Sequence, residues 1–265
     1  MFLDRVTRRP GHVGEGFPWT VPLVAGLKDL RFTTSVTFLV GENGSGKSTL
    51  LEGLAWGMDA TAVGSRHLSA DPTLASARLF PQGFRFARTA YARTRLFLRA
   101  EDVFGFTGRV TDDMAALRAE AKALGDSMPE GYGRTLALGV LHGQAGALAS
   151  KYGDNPDGRS HGETFLHILQ ERMHGDGLYF LDEPETPLSP TRVLALMIMI
   201  EELVSRGCQF IIATHSPILL ALPGATILLA DNGALAPADW NDLEHVRVTR
   251  AFLNDPASVL RRLRD

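Results

Sequence analysis

The sequence predicts an α/β protein with a mainly parallel sheet covered by helices on both faces. Two observations support this fold class. Short apolar segments alternate with segments of helical spacing, a pattern typical of parallel sheets. The apolar segments also contain few polar residues, as expected for strands that are buried on both faces. Right-handed crossovers then place the carboxyl ends of the strands on one edge of the sheet, where ligands bind in such folds.

The strands follow from β-branched and apolar runs that stop at turn residues. Residues 1–40 are strand-forming and predict an N-terminal antiparallel β portion, which leads into the apolar strand 35–40. A glycine-rich turn starts at Gly41, and apolar residues then recur at helical spacing from Thr49 to Ala55. Further strands are predicted at 94–99, 178–181, 208–213 and 225–229.

The helices are predicted from apolar periodicity and from their end signals. A helix is expected over 112–124, around 165–173, and from Pro190 to Val204 after Ser189 as N-cap. Two segments favour irregular structure: the turn-rich stretch 59–81 and the glycine-rich stretch 131–158. Together these signals predict one domain over residues 1–265, with a small helical subdomain at about 110–160.

Composition excludes several classes of protein. The 265 residues are 45% hydrophobic with a formal net charge of −3, which is typical of soluble globular chains. A membrane-spanning helix needs about 18 consecutive apolar residues, and the sequence has no such run. The start of the chain does not resemble a secretory leader, and Cys208 is the single cysteine, so we expect a cytoplasmic protein. Arginine is dense over 78–109, which would suit phosphates or an acidic partner, although a general compositional bias explains it as well.

One segment fits the pattern G-x-x-x-x-G-K-[ST], between an apolar strand and a helix. It consists of Gly41, Glu42, Asn43, Gly44, Ser45, Gly46, Lys47 and Ser48. Glycines permit positive φ, so that successive backbone N–H groups can surround phosphate oxygens at a helix N-terminus. Lys47 would add a full charge against the β- and γ-phosphates, and the Ser48 hydroxyl would ligate Mg²⁺.

Polar residues follow two of the other apolar strands. Asp182 and Glu183 end the strand at 178–181, and His215 follows the strand at 208–213. Paired acids at the end of a buried strand indicate a cation or a proton to be handled there. We therefore expect Asp182 to orient Mg²⁺, Glu183 to polarise the attacking water, and His215 to bond the γ-phosphate or that water.

These motifs together resemble the ABC-type ATPase superfamily within the P-loop NTPases. GENGSGKST, which extends the loop to Thr49, is similar to its Walker A, LYFLDEPE to its Walker B with the catalytic glutamate, and THS to its switch histidine. The segment 159–163, Arg-Ser-His-Gly-Glu, is similar to its signature. The resemblance implies that Ser160 and Gly162 grip the γ-phosphate of ATP held by another copy. It thus implies an ATP- and Mg²⁺-dependent homodimer that acts as a switch and hydrolyses ATP.

The pattern departs from the transporter form of the family. The usual signature is Leu-Ser-Gly-Gly-Gln, and the form found here is more similar to that of chromosome-maintenance and repair ATPases, although their long coiled coil is absent. The whole most resembles small stand-alone bacterial predicted ATPases. Two alternatives stay open: the nucleotide-binding subunit of a transporter and a non-enzymatic nucleotide-binding regulator. The Q-loop residue (Gln82 or Glu101), the adenine contact (Phe17 or Trp19) and the nucleic-acid or protein partner also stay open.

Overall fold

The computed structural model describes residues 1–12, 14–62, 77–153 and 161–264. The strands in these ranges are β1 (Leu3–Arg8), β2 (Asp29–Arg31), β3 (Val36–Val40), β4 (Thr61–Ala62), β5 (Phe84–Arg88), β6 (Thr94–Arg99), β7 (Gly177–Asp182), β8 (Gln209–Ala213), β9 (Thr226–Asp231) and β10 (Ala234–Pro237). The helices are α1 (Pro22–Gly26), α2 (Lys47–Gly57), α3 (Phe80–Gly83), α4 (Ala100–Ser127), α5 (Tyr132–Tyr152), α6 (His161–Arg172), α7 (Pro190–Ser205), α8 (Glu244–Asn254) and α9 (Pro256–Arg262). The chain divides into two compact units: unit 1 holds residues 1–100 and 173–265, and unit 2 holds residues 101–172.

Unit 1 contains a seven-stranded sheet in the order β10-β9-β3-β8-β7-β6-β4. Within the described ranges every neighbouring pair is parallel except β9 and β10, which pair antiparallel. The strands β3, β7 and β8 are buried along their whole length, which explains their uninterrupted apolar sequences. The predicted α/β fold with a mainly parallel sheet flanked by helices is therefore confirmed.

The strand predictions hold to within one or two residues at each end. The strand at 94–99 coincides with β6, and the other four predicted strands correspond to β3, β7, β8 and β9. The predicted N-terminal antiparallel portion is the three-stranded sheet β2-β1-β5. Its solvent side carries a two-pronged ion pair, because Arg5 donates to both carboxylate oxygens of Asp29 at 2.5 and 2.9 Å.

A buried glutamine on β8 bonds to the chain of the antiparallel sheet. The Gln209 side-chain oxygen accepts from the backbone N–H groups of Phe2 and Leu3 at 2.7 and 2.9 Å. Its amide nitrogen donates to the Leu3 carbonyl at 2.8 Å. Both the oxygen and the nitrogen of the buried Gln209 side chain are therefore hydrogen-bonded, and these bonds offset the cost of its desolvation.

The core of unit 1 includes the apolar face of α2. Leu50, Leu51 and Leu54 on this helix are fully buried and belong to the same cluster as residues of β3, β7 and β8. Each such side chain contributes about 1.5–3 kcal/mol on burial. Gly53 sits against the Phe80 ring, where a Cβ would come within 2.3 Å of a ring carbon. The spacing of apolar residues after the glycine-rich turn thus predicted the correct helix.

The helix α7 confirms its predicted ends. It begins at Pro190 after Ser189, and Gly207 takes a φ of 86° just past its end, a conformation that favours glycine. Ser189 occupies the N-cap position, but its side chain makes no cap hydrogen bond in the described structure. The helix therefore starts where proline fixes φ and a backbone carbonyl, that of Ser189, accepts the first helical bond.

The described part of unit 2 consists of helices, and one expectation about it was wrong. The segment 131–158 was expected to be loosely ordered, yet α5 runs from Tyr132 to Tyr152. Isolated glycines cost about 1 kcal/mol each in a helix, and here helix formers such as leucine and alanine between them prevail. The helix predicted over 112–124 is longer, since α4 starts at Ala100 directly after β6 and passes through Gly105 and Gly108. The subdomain at about 110–160 lies largely within this unit, and its independence stays a prediction.

Two further predictions concern the irregular segments and the absence of a membrane-spanning helix. Most of the turn-rich stretch 59–81 and the end of 131–158 lie outside the described residues. Among the helices of the described ranges, none combines the length and the apolar character needed to cross a membrane.

Candidate functional site

The site forms where three neighbouring parallel strands end. β3 lies between β9 and β8, and β7 lies on the other side of β8. The register places Leu39 beside Ala213, and Ala213 beside Asp182. The loops that follow these three strands therefore leave the sheet side by side. They are the phosphate loop (Gly41–Ser48), the acidic turn (Asp182–Leu188) and the histidine loop (Thr214–Ser216).

Glycines give the phosphate loop its shape. Gly41, Gly44 and Gly46 have φ of 152°, 80° and 98°, values that other residues rarely adopt. At two of these positions the space is closed as well: a Cβ on Gly41 would lie 2.5 Å from the Ala230 carbonyl oxygen, and one on Gly46 would lie 2.5 Å from Val21 Cγ1. Only glycine fits at these two positions, so the motif is imposed by the backbone path.

Lys47 is buried at the start of α2, with 5% of its surface exposed. Its Nζ donates to the Gly41 and Glu42 carbonyl oxygens at 2.7 and 2.8 Å. Burial lowers the pKa of Lys47, and the nearby carboxylates of Glu183 and Asp182 oppose that shift. The Lys47 ammonium group thus lies at the phosphate loop, near the carboxylates of Asp182 and Glu183 at the end of β7.

The Ser45 hydroxyl is an unused polar group in this loop. Its Oγ is buried and has no hydrogen-bond partner in the part of the chain that the structure describes. A buried hydroxyl that lacks a partner costs free energy, unless a ligand completes it. Its position inside the phosphate loop fits an oxyanion as that ligand.

Ser48 and Asp182 meet between the phosphate loop and the acidic turn. Ser48 Oγ donates to Asp182 Oδ1 at 3.1 Å. Burial raises the pKa of Asp182 to about 6, while the Ser48 hydrogen bond and the charge of Arg99 act in the opposite direction. Hydroxyl and carboxylate oxygens are the hard ligands that Mg²⁺ prefers, so this pair fits the predicted metal site.

Arg99, whose charge acts on Asp182, is held by the carboxylate of Glu52. It forms a largely buried ion pair with Glu52 on α2. The register of β6 and β7 places Arg99 opposite Asp182. The arginine therefore supplies a fixed positive charge behind the Asp182 carboxylate. Of the arginines dense over 78–109, Arg88 and Arg95 also approach a carboxylate, that of Asp59.

Glu183 has a backbone conformation that is uncommon for its residue type. Its φ is 47°, in the left-handed region, and its N–H donates to the Ala213 carbonyl at 2.9 Å. A non-glycine residue in that region costs about 1–2 kcal/mol, and such strain is frequent at functional sites. The strained turn directs the half-exposed carboxylate toward the histidine loop, with Oε1 3.7 Å from His215 Nε2.

His215 faces Glu183. Burial lowers the pKa of His215 and the charge of Lys47 lowers it further, while the charges of Glu183 and Glu185 oppose that shift. Its Nε2 is buried and has no hydrogen-bond partner among the described residues. The distance of 3.7 Å to Glu183 is too long for a hydrogen bond, and a small polar group would complete both side chains.

Two residues beside His215 were not predicted. Glu185 accepts three hydrogen bonds from the histidine loop. The His245 ring on α8 lies edge-on to the His215 ring with centroids 6.5 Å apart, and its Nε2 has no partner among the described residues. Burial and the neighbouring His215 lower the pKa of His245. No signal in the sequence pointed to His245. For Glu185 the only signal was its position as the third acidic residue of LYFLDEPE.

The structure locates only some of the residues predicted for the signature, the Q-loop and the adenine contact. Ser160 lies outside the described residues, and Gly162 is buried in the first turn of α6, in unit 2. Of the Q-loop candidates, Gln82 lies in α3 and Glu101 in α4. Trp19 stacks on Phe84 in the core of unit 1 and is therefore a core residue.

Two segments of the chain match known family models. Residues 24–96 match a family described as "AAA domain", and residues 164–221 match one described as "AAA domain, putative AbiEii toxin, Type IV TA system". These segments include the phosphate loop, the acidic turn and the histidine loop. Taken with the motifs and the strand order, they support an ABC-type P-loop ATPase, as the motifs predict.

Solved structures are similar at low sequence identity. A nucleotide-free ATP-binding cassette from an ABC transporter shares 16% identity, with a TM-score of 0.48 over 95% of this chain and 96% of that chain. A structure titled "An inward-facing conformation of a putative metal-chelate type ABC transporter" shares 15% identity, with a TM-score of 0.45 over 95% of this chain and 89% of that chain. No curated protein sequence matches the chain.

Proposed function

We propose that this chain, which resembles the ABC-type P-loop ATPases in its motifs, binds ATP with Mg²⁺ and hydrolyses its γ-phosphate. The observation that supports this most is the convergence of five side chains at one edge of the sheet. These side chains follow three neighbouring strands. Ser48 bonds Asp182, and Glu183 lies 3.7 Å from His215. The charges of Asp182 and Glu183 act on Lys47. Such a cluster combines anion binding, cation binding and proton transfer in one place.

The phosphate loop would hold the triphosphate. Residues Gly41–Thr49 offer backbone N–H groups at the start of α2, the Lys47 ammonium and the unpaired Ser45 hydroxyl. All of these donate, and together they favour an anion with several oxygens. The two carbonyl oxygens that now accept from Lys47 fix where its charge is presented.

Ser48 and Asp182 would hold Mg²⁺. The ion would supply positive charge against the phosphates in an in-line displacement. Burial raises the pKa of Asp182, so its carboxylate is costly to ionise unless a positive charge lies beside it. A divalent cation beside this carboxylate would remove that penalty, and this is why a buried acid at this place supports a metal site.

Glu183 would be the general base. Its carboxylate is half-exposed, so a water molecule can reach it, and it would accept the proton of that water as the oxygen attacks the γ-phosphorus. The bond to the leaving ADP oxygen breaks, which yields ADP and inorganic phosphate. His215 Nε2, which has no hydrogen-bond partner within the described part of the chain, would donate or accept one hydrogen bond to position the water or the phosphate.

The homodimer is a further part of this proposal. The sequence contains one phosphate loop and one signature-like segment, 159–163, so the family arrangement needs a second copy. Ser160 and Gly162 of that copy would complete the phosphate site, and ATP would hold the two copies together. Hydrolysis would then release them, which makes a ligand-driven switch.

Two variants test binding and dimer formation. Glu183→Gln should bind ATP and, because it cannot turn it over, elute as a dimer in sizing chromatography with saturating MgATP. Lys47→Ala should lose nucleotide binding and stay a monomer. Glu202→Gln, an exposed change on α7, is the matched control and should behave as wild type. A monomeric Glu183→Gln variant with bound ATP would refute the dimer and leave ATP binding intact.

What the ATPase acts on needs a separate measurement. Phosphate release should be followed with and without DNA, RNA and lipid vesicles, each at several salt concentrations. Stimulation by nucleic acid that declines with salt would indicate a polyanion partner. Stimulation by none of them would favour a protein partner.

A further inference from the structure

Glu185 bonds a segment that lies about thirty residues further along the chain. Its Oε1 accepts from the Thr214 hydroxyl at 2.6 Å and from the backbone N–H groups of His215 and Ser216 at 2.9 and 3.0 Å. One carboxylate oxygen of the acidic turn thus binds all three residues of the histidine loop. Hydrogen bonds to an ionised acceptor are roughly twice as strong as neutral ones.

These bonds define the conformation of the histidine loop. Thr214 is fully buried, and its hydroxyl also accepts from the Ser216 N–H at 3.0 Å. Its own N–H donates to the Leu39 carbonyl at 3.2 Å, which holds the loop to β3. His215 lies between two residues that are fixed in this way. The direction of its imidazole therefore depends on where the Glu185 carboxylate sits.

Glu185 differs from the simple turn caps elsewhere in the chain. Asp239 and Asp255 each accept a backbone bond from a residue two or three positions later. Such local bonds cap the helical turn that directly follows. Glu185 joins loops that follow two different strands. Its Oε2 is buried without a partner among the described residues, a cost that a purely structural acid would be expected to avoid.

The acidic turn also links this carboxylate to the general base. The Thr186 N–H donates to the Glu183 carbonyl at 3.1 Å, and the Leu188 N–H donates to the Glu185 carbonyl at 2.8 Å. The turn that carries Glu183 is thus closed by its own backbone. Glu183 and Glu185 lie two residues apart in this turn, so its backbone connects the carboxylate that faces His215 with the one that binds the histidine loop.

We propose that Glu185 is a positioning residue that holds His215 in place against Glu183 before nucleotide binds. It acts through the histidine loop and has no role in contacting the substrate. Without it, the loop would keep the strand bonds of β8 but lose the bonds that fix the imidazole. This inference rests on the ATP hydrolysis proposed above.

A double-mutant cycle with steady-state and single-turnover kinetics tests the role. Glu185→Ala should lower kcat about 10- to 100-fold and change the KM for ATP less than about twofold, because only alignment is lost. In a His215→Ala background the same change should alter kcat by less than about twofold, since its target is gone. Glu202→Ala is the control and should match wild type.

Several results would overturn the inference. They are wild-type kcat in Glu185→Ala, an equal fold-loss in both backgrounds, or a raised KM with kcat unchanged. Should Glu185→Ala not fold, Glu185→Gln replaces it in the cycle, because an amide oxygen can still accept the three bonds. We expect it to lose about threefold to tenfold in kcat, only when His215 is present. Persistence of that loss without His215 would overturn the role.

A second measurement separates this inference from the proposed function. NMR of ¹⁵N-labelled histidine should give one sharp set of His215 imidazole resonances in the wild type. The resonances should shift and broaden in Glu185→Ala and stay unchanged in Glu202→Ala. Unchanged His215 resonances in Glu185→Ala would refute the positioning role. Absence of phosphate release from ATP by the wild type would refute hydrolysis, and the resonances would still decide the role of Glu185.

Discussion

The phosphate loop and the histidine loop lie side by side but are built in different ways. Backbone conformation shapes the phosphate loop, with glycine required by positive φ and by the approach of other backbone and side-chain atoms. One distant carboxylate holds the histidine loop. The difference teaches that consecutive residues can encode the shape of one loop, while the loop beside it depends on tertiary contacts that no local motif contains.

The strongest test of the backbone-built loop is Gly46→Ala. The new Cβ would meet Val21 Cγ1 at 2.5 Å at a φ of 98°, so the loop must deform. We expect ATP affinity to fall more than about 100-fold, measured by calorimetry with MgATP. Gly44→Ala is the matched control: its φ of 80° is strained but its Cβ meets nothing within 4 Å, so its loss should be smaller. Equal losses in both variants would contradict the steric part of the account.

A second prediction concerns the residue on which the two loops converge. Burial raises the pKa of Asp182 in the folded state to about 6 from an ordinary value of 3.8. Ionisation of Asp182 therefore costs stability once the pH rises above about 4. The contribution of Asp182 to the stability of the nucleotide-free protein should therefore fall as pH rises from about 4 to 6. Asp182→Asn should be more stable than wild type by about 3 kcal/mol at pH 7.5 and should lose that advantage by about pH 4.

Urea unfolding at both pH values, without nucleotide or metal, checks this prediction, and Asp231→Asn on the exposed end of β9 serves as control. An Asp182→Asn variant less stable than wild type at pH 7.5 would show that the Ser48 and Arg99 interactions outweigh desolvation.

The smallest expected effect concerns the Thr214 hydroxyl in the histidine loop. Thr214→Val removes its 2.6 Å bond to Glu185 and the 3.0 Å bond that it accepts from the Ser216 N–H, and leaves the two backbone bonds to Glu185 in place. We expect a loss of about 1–2 kcal/mol in stability and a smaller fall in kcat than for Glu185→Ala. Thr214→Ser keeps the hydroxyl and should retain more of both. Thermal unfolding measures the stability and steady-state kinetics the kcat. A larger kcat loss in Thr214→Val than in Glu185→Ala would contradict the prediction that Glu185 contributes more to the histidine loop than the Thr214 hydroxyl does.

The sequence predicted those parts of the site that follow directly from a strand. Gly41, Asp182 and His215 each come after a buried apolar run, so parallel topology alone brings them to one edge. Glu185 could not be assigned in this way, because its partners lie 29–31 residues later and the spacing carries no period. His245 comes from α8 and contacts His215 only through tertiary packing.

The fold was predictable to a similar depth. The strands of the parallel sheet were found because burial on both faces leaves an unbroken apolar pattern. The helix α5 was missed because its glycines resemble a loop in isolation. The helix α4 was predicted too short because Asp112 and Asp113 resemble a helix start and Gly125 a helix end, whereas α4 runs from Ala100 to Ser127. The helix-forming residues around the glycines outweigh them in both segments.

The central claim is that this edge of the sheet turns over ATP with Glu183 as its base. Phosphate release from ATP and ATP affinity, measured on the same preparations of wild type, Glu183→Gln and Glu202→Gln, test it most directly. The account predicts that Glu183→Gln binds ATP as tightly as wild type, within about twofold, while its turnover falls at least about 100-fold. Turnover by Glu183→Gln at the wild-type rate, or no turnover in any of the three proteins, would contradict it.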